Sequence, residues 1–322
     1  MRMFLPLLTV ALAAAVGAGC TVARAGLNAE AGPADDLGPL ADLGIRVDLG
    51  ERVDLGTIDG SRDPDLGVAS DLGSGADLGS DGGSTGSCVA ATCAGRFCAG
   101  GVCGYARSCI ELRTAGVVDD GLYTLDGDGP GGLEPASAYC DMTNAGGGWT
   151  LVLKADGEFS TFAYDSELWT NTMELAGSSD LAAIEAKLRS YVNVAFTQMR
   201  IVMTSPSGDH SLLMDVGAAS CVALFTRGRS TTTVGRMQWL DLVPGSALQP
   251  NCQEQGINVA PAPTFSRVRI GLIGNGEAEC NSPDSWIGIG GGGGGTMSVG
   301  NYANSASSGT RAIVSFGYVF VR

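Results

Sequence analysis

The sequence predicts an α+β protein, in which a folded head with a mixed, largely antiparallel sheet and few helices follows a disordered stalk. Short runs of alternating or continuous apolar residues recur from about residue 108 onward, as expected for strands. Only residues 178–191 have helical periodicity over several turns. Residues 20–87 contain acidic repeats and no strand or helix periodicity, so no packed core is expected there.

Residues 1–19 have the layout of a secretory signal peptide. Arg2 precedes an apolar run, Phe4 to Val16, that is too short to span a bilayer as a helix. The following GAGC, residues 17–20, resembles the lipobox of bacterial lipoproteins. This resemblance implies lipidation of Cys20 and a place in the bacterial cell envelope, on the outer membrane or cell surface. Cleavage near Gly19 without lipidation is the alternative.

Residues 20–87 are predicted to form a disordered, acidic tether. Asp-Leu-Gly occurs seven times between Asp36 and Gly79. Residues 21–87 contain 13 acidic residues, 4 arginines and no aromatic residue, so their net charge is −9. Such a chain cannot offset the entropy lost on ordering, and its charges keep it extended. A hexapeptide β-helix is the alternative, although these repeats would leave it almost no core.

Nine cysteines remain besides Cys20, and export to an oxidising compartment makes disulfides the default for them. Zinc is disfavoured because His210 is the only histidine and the close cysteine pairs of zinc sites are missing. Residues 88–107 are predicted to form a small cysteine-rich knuckle, with three possible connectivities. Among Cys221, Cys252 and Cys280 in the head, one disulfide and one free thiol are expected. The cysteines whose pairing stays open are Cys88, Cys93, Cys98 and Cys103 in the knuckle, and Cys221, Cys252 and Cys280 in the head.

Residues 108–322 are predicted to form one domain, which carries a recognisable signature. Tyr-Cys-Asp at 139–141 is followed, after four residues, by Gly-Gly-Gly-Trp at 146–149. This pattern resembles the YCD-x4-GGGW signature of bacterial fibrinogen-like proteins and, more distantly, intelectins. The resemblance implies a fibrinogen C-terminal-like head. Cys109 and Cys140 can close a loop of about thirty residues, and a disulfide between them would stabilise the fold by about 3 to 4 kcal/mol.

The elements of this head are expected in the following order. Asp141 accepts backbone N–H bonds from a glycine turn, and Trp149 then anchors a half-buried strand. The helix 178–191 begins at Ser178 or Ser179 and places Leu181, Ile184, Leu188 and Tyr191 on one face. Residues 312–321 are apolar on both faces, which predicts a strand in the middle of a sheet. Further strands are predicted at 196–203, 211–216, 221–225 and 266–273.

The segment from Gly274 to Asn301 is interpreted as a long functional loop. Its hard oxygen ligands suit Ca²⁺, and its glycines allow the backbone to approach a ligand closely. The resemblance implies the same, because fibrinogen-like and intelectin domains commonly hold calcium in this region. A solvated loop whose acids contact nothing is the alternative. The predicted metal ligands are Glu277, Glu279, Asn281 and Asp284.

Residues 280–293 also resemble an intelectin stretch in which histidine and calcium recognise the vicinal diols of microbial sugars. Asp284 and Ser285 stand where that family has histidines, and Trp286 replaces its second cysteine. Asp284 and Trp286 are therefore the candidate ligand-binding residues. A surface tryptophan could stack on a sugar; alternatively, Trp286 fills core volume in place of the missing disulfide.

No enzymatic activity is predicted, because the residues around His210 are only neighbours in sequence and do not constitute a triad. A net charge of −15 disfavours nucleic acid as a partner. The resulting hypothesis is a lipid-anchored surface protein whose fibrinogen-like head binds glycans with the help of calcium. The alternative is a structural or adhesion protein of the envelope that binds other proteins without sugar or calcium.

Overall fold

The computed structural model describes residues 97–99, 102–293, 297–304 and 309–322. Within them, two large antiparallel sheets, a short hairpin and four short helices make up the regular structure. The predicted α+β class, with largely antiparallel sheets and few helices, is confirmed. The helices are α1 (Cys109–Thr114), α2 (Arg189–Asn193), α3 (Cys221–Thr226) and α4 (Arg236–Leu240).

The hairpin consists of β1 (Phe97–Ala99) and β2 (Val102–Gly104), with Cys98 opposite Cys103 in the register. Cys103 is disulfide-bonded. The hairpin is the only part of the predicted knuckle, apart from residues 105–107, that falls among the described residues. The signal peptide, the lipidation site at Cys20 and the acidic tether at 20–87 all lie outside them. In the described part of the chain, no helix combines the length and the apolar character that crossing a bilayer requires.

The first large sheet has seven strands and brings the two ends of the head together. Its order is β3-β4-β5-β15-β7-β8, and β6 pairs with β5 away from this path. The C-terminal strand β15 thus lies between β5 and β7 and is antiparallel to both. The strands are β3 (Gly121–Leu125), β4 (Ala136–Asp141), β5 (Trp149–Asp156), β6 (Ala186–Lys187), β7 (Met199–Ser205), β8 (Gly208–Met214) and β15 (Phe316–Val321).

The second sheet has six antiparallel strands in the order β14-β13-β12-β11-β10-β9. The main core contains apolar side chains of both sheets, such as Ile201 and Val319 from the first and Ile270 and Ile289 from the second. Helices α2, α3 and α4 add further side chains to it. The strands are β9 (Ser230–Thr231), β10 (Gln255–Val259), β11 (Arg267–Gly274), β12 (Ser285–Gly292), β13 (Val299–Ala303) and β14 (Arg311–Val314).

The predicted helix at 178–191 is wrong over most of its length. Residues 178–185 form a loop, and only α2 is helical. The buried ammonium of Lys154 explains the loop, because it donates to the carbonyls of Asp180 (3.0 Å) and Ala182 (2.8 Å), which a helix would use internally. Leu181 and Ile184, assigned to the buried face, are 41 % and 57 % exposed.

Two further strand predictions require correction. Residues 221–225 belong to helix α3, since the hydroxyl of Ser220 accepts a hydrogen bond from the Ala223 N–H (3.2 Å) and caps it. Residues 312–321 form two strands separated at Ser315. The first, β14, is the exposed edge of the second sheet, whereas β15 is interior as predicted. A single apolar run therefore serves both sheets.

Lys187 is a second fully buried lysine, and it lies in β6. Its ammonium donates to the carbonyl (2.7 Å) and the side-chain oxygen (2.9 Å) of Asn171, and it lies 4.9 Å from the ring centre of Tyr191. Desolvation lowers the pKa of Lys187 from 10.5 to about 8. The folded state therefore releases this proton more readily than the unfolded state.

This difference makes stability depend on pH. Between about pH 8 and pH 10.5, the unfolded chain binds more protons at Lys187 than the folded chain, so raising the pH stabilises the fold. Relative to Lys187→Met, the wild-type free energy of unfolding should rise by about 3 kcal/mol across this window. Urea unfolding of both proteins at several pH values measures it. A difference that stays constant with pH would contradict the assignment.

Candidate recognition site

The signature residues meet at one corner of the first sheet. Cys109, at the start of α1, and Cys140, in β4, form the predicted disulfide, with their Cα atoms 5.4 Å apart. The N–H of Cys109 also donates to the hydroxyl of Thr150 in β5 (3.0 Å). The bridge thus fastens α1 to the strands that lead into the glycine turn.

Asp141 organises that turn through its carboxylate. Its Oδ1 accepts the backbone N–H groups of Thr143 (3.2 Å) and Asn144 (2.8 Å), and its Oδ2 accepts the amide of Asn144 (3.1 Å). Gly147 follows at φ 69°, where a side chain would be strained and a Cβ would lie 2.0 Å from the Met142 carbonyl oxygen. The predicted role of Asp141 is confirmed, and the glycine is required by the turn itself.

The turn wraps Trp149, which is fully buried. The guanidinium groups of Arg322 and Arg200 lie 4.3 Å and 5.4 Å from its ring centre, within range of cation–π attraction. Arg322 also donates to the Gly147 carbonyl (3.0 Å). The glycine turn, the tryptophan and the last residue of the chain therefore stabilise one another.

Arg200 carries the second charge of a buried ion pair. Its Nη2 donates to Oδ2 of Asp141, and the two side chains are only 5 % and 6 % exposed. The guanidinium also lies 4.7 Å from the ring centre of Phe320, which pairs with Arg200 from the adjacent strand β15. Burial opposes ionisation of Asp141, but the hydrogen bonds from Arg200 and Asn144 outweigh it, so the pKa of Asp141 lies below its ordinary value of 3.8.

We expect Asp141→Asn to destabilise the protein by about 3 kcal/mol, because it leaves the buried Arg200 without a counter-charge. Since the pKa of Asp141 is depressed, the difference from wild type should shrink as the pH falls below 3.8. Urea unfolding near neutral and at acidic pH measures both effects. Asp209→Asn is the control, because Asp209 is exposed. An equal loss from both substitutions would contradict the assignment.

A cavity of about 490 Å³ opens on the face of the first sheet that points away from the main core. Alternation along β7 creates this arrangement, because Ile201 and Met203 enter the main core while Arg200, Val202 and Thr204 face the cavity. The strand register places β8 and β15 beside them. Six of the lining side chains are polar: Asp141, Asn144, Arg200, Thr204, Asp209 and Ser211.

Sequence reasoning missed this cavity. One signal was available, namely an arginine within the otherwise apolar run MRIVM of the predicted strand at 196–203. A charged side chain within a buried strand needs an oppositely charged or hydrogen-bonding partner, or it lies at a binding site. Its partner Asp141 lies 59 residues earlier, so the pair depends on strand order, which a single sequence does not reveal.

The predicted calcium ligands do not assemble. No group of three or more acidic, histidine or cysteine side chains close enough to hold a metal occurs within the described ranges. Glu279 organises its own loop instead, because its carboxylate accepts the hydroxyl of Ser282 (2.7 Å), the amide of Asn275 (3.1 Å) and the N–H of Asn281. Glu277 is exposed. These residues therefore do not fit a calcium site as they stand.

Asp284 and Trp286 are also separated by the structure. Asp284 is half-buried just before β12, where its N–H donates to the Gly274 carbonyl (3.1 Å) and its carbonyl accepts the Asn304 N–H (3.1 Å). Trp286 lies within β12 and is fully buried. The structure thus favours the core interpretation of Trp286 over the sugar-stacking one.

Four of the glycines after Trp286 lie in the sheet and not in a loop, namely Gly288, Gly290, Gly291 and Gly292 in β12. Of the predicted loop, residues 285–292 form β12 and residues 299–301 belong to β13, whereas residues 276–284 do form a loop. A Cβ on Gly291 would lie 2.0 Å from the ring of Trp286, and one on Gly288 would lie 2.0 Å from the carbonyl oxygen of Ile270. These glycines make room for the tryptophan and the adjacent strand.

Gly291→Ala should therefore destabilise the protein by about 1 to 3 kcal/mol through overpacking against Trp286. Gly228→Ala is the matched control, since a Cβ there would meet nothing within 4 Å. Chemical denaturation of the two variants and the wild type measures the effect. Equal stability of the two variants would show that Gly291 does not accommodate Trp286.

The open pairing among the three remaining cysteines is resolved. Cys252 and Cys280 form a disulfide, with their Cα atoms 5.1 Å apart, which ties the loop before β12 to the segment before β10. Cys221 is free and fully buried in α3. Desolvation raises the pKa of its thiol, so the thiol stays protonated and behaves as an apolar core group.

Comparison with known proteins gives short sequence matches. No family model matches the chain. Angiopoietin-2 of Canis lupus familiaris is 40 % identical over 50 residues, which are 16 % of this chain and 10 % of that protein. Angiopoietin-2 of Rattus norvegicus is 44 % identical over 46 residues, 14 % of this chain and 9 % of that protein. The chain therefore matches about a tenth of the length of these curated relatives.

Two solved structures are similar over longer stretches. The fibrinogen-like globe domain of human ANGPTL6 is 16 % identical, with a TM-score of 0.34, covering 68 % of this chain and 96 % of that one. The fibrinogen-like globe domain of human ANGPTL2 is 20 % identical, with a TM-score of 0.26, covering 34 % of this chain and 50 % of that one.

Proposed function

We propose that residues 108–322 form a fibrinogen-like recognition domain, that lipid on Cys20 and the acidic tether display it on the bacterial cell surface, and that it binds glycans. One observation carries this proposal. The residues of the YCD-x4-GGGW signature lie together at one corner of the first sheet, where the Cys109–Cys140 bridge, Asp141 and Trp149 meet the C-terminal strand. The short identity with angiopoietin-2 is consistent with it.

The organisation of the head suits recognition. Its long-range disulfides and continuous core give a rigid scaffold, on which an extracellular ligand can bind without reordering the chain. The cavity over the first sheet offers a concave surface with mixed polar and apolar walls, as binding sites for small ligands commonly do.

Calcium dependence is the finer part of the proposal. Glu277, Glu279, Asn281 and Asp284 supply the right ligand chemistry. They would have to rearrange to meet around one ion, because Glu279 is hydrogen-bonded within its loop. Glycan binding is therefore proposed independently of calcium. Glycan binding and its dependence on calcium are tested separately, by measurements with and without calcium.

A protein-binding, adhesive function is the second candidate, and a specific surface feature favours it. Phe159 and Ile184 are 56 % and 57 % exposed and line a common concavity. Exposed apolar side chains that share one surface are typical of protein contacts. Ile184 belongs to the loop that replaces the predicted helix, whereas Phe159 follows β5.

A glycan array probed with the purified full chain, in calcium and in EGTA, tests the proposal. Saturable binding to a subset of glycans is expected. Loss of that binding in EGTA would support the calcium ligands, and Glu279→Gln with Asp284→Asn should then reproduce the loss in calcium. Binding in neither buffer would overturn the glycan function and favour protein contact through the surface around Phe159.

A further inference from the structure

We propose that the cavity over β7, β8 and β15 is a binding site for a short, neutral oligosaccharide, recognised by Arg200 at one end, by Asp209 at the other and by Ser211 between them. This inference rests on the proposed glycan-binding function and assigns it a place. The site is built on strands of the first sheet and does not involve the acidic residues 277–284.

The register defines the floor of the site as three rows across adjacent strands. Phe320 pairs with Arg200, Tyr318 pairs with Val202 and, one strand further, Ser211, and Thr204 pairs with Asp209. Arg200 and Thr204 are four residues apart along β7, a distance of about 13 Å. The floor is therefore long enough for an extended ligand, with polar groups at both ends.

Arg200 supplies donors that have no acceptor in the protein. Among the described residues, only its Nη2 is paired, with Asp141, while its Nε is buried without any hydrogen-bond partner. A buried donor left unpaired is costly, whereas an acceptor supplied by a ligand would form its bond in a desolvated setting. The residue is 4 % exposed and lines the cavity, and its Nη1, which makes no hydrogen bond to the described residues and is not among the fully buried atoms, is the donor that a ligand could reach.

The opposite end and the middle row supply acceptors. Asp209, in the row of Thr204, and Ser211, in the middle row beside Val202, are exposed, and neither side chain makes a hydrogen bond or an ion pair within the part of the chain that the structure describes. The side-chain oxygens of both residues can accept hydrogen bonds from the hydroxyl groups of a ligand. Between the two ends, Val202 and Tyr318 present an apolar floor against which the C–H faces of a sugar ring can lie.

The charges of the lining residues favour a neutral ligand. Asp141 already neutralises Arg200, so an added carboxylate would gain little there and would be repelled by Asp209. A cation attracted by Asp209 would bring no acceptor for the unpaired donors of Arg200. A ligand with many hydroxyl groups can donate at one end and accept at the other, which this arrangement requires.

The test uses arrayed oligosaccharides, some neutral and some containing hexuronic acid, probed with the full chain in calcium and in EGTA. Neutral oligosaccharides should bind. Asp209→Asn should weaken their binding about tenfold, as expected for loss of a hydrogen bond to a charged acceptor, and Ser211→Phe, which fills the cavity, should abolish it. Asp241→Asn, an exposed acid outside the cavity, is the matched control and should bind as wild type does.

The outcomes separate this inference from the function on which it rests. Binding that survives both cavity substitutions, or that requires calcium, would place the glycan site elsewhere and overturn the inference alone. Preference for the acidic sugars would overturn the neutral ligand. Binding to no sugar, or to arrayed peptides only, would overturn both. Unchanged melting temperatures of Asp209→Asn and Ser211→Phe would exclude unfolding as the cause of lost binding.

Discussion

The buried charge of Arg200 constrains the head more than any other single group. A guanidinium removed from water must have a counter-charge and acceptors, or the fold is strongly destabilised. Asp141 meets this need from β4, while Trp149 of β5 and Phe320 of β15 lie beside the guanidinium. Four strands from distant parts of the chain must therefore stand in one order and one register around it.

The residues of the signature segment are placed so that they satisfy the buried charge of Arg200. The disulfide at Cys140 fixes the strand that carries Asp141, and the glycine turn brings the chain back so that Trp149 lies opposite Asp141 in the next strand. The C-terminal Arg322 closes the same cluster. One acid, three glycines and a tryptophan thus form the contacts through which the first strands of the head pack against its C-terminal strand.

The same constraint connects the fold to the proposed site. Because Asp141 occupies only one nitrogen of Arg200, the outer face of the sheet retains unpaired hydrogen-bond donors beside its apolar side chains. Stability and recognition therefore depend on neighbouring atoms of one side chain. This arrangement explains why a rigid structural pair can also form one end of a binding cavity.

Local patterns were sufficient for part of the structure. Alternation correctly predicted β5, strand-like apolar runs predicted β7 and β11, and a segment apolar on both faces predicted the interior position of β15; the cysteine pattern of the signature agreed with the Cys109–Cys140 bridge. Features that depend on distant partners were not predictable in this way. Lys154 removes carbonyls from the expected helix, and the ring of Trp286 requires Gly291, one of the glycines that resembled a ligand loop. The cavity likewise arises from strand order.

A double-mutant cycle on Arg200 and Asp141 tests the central claim most directly. If the pair holds the sheet as described, Arg200→Met and Asp141→Asn should each be destabilising, and the double variant should lose less than their sum by about 2 kcal/mol or more. Urea unfolding of the four proteins provides the values. Additive losses, to within about 0.5 kcal/mol, would contradict the account.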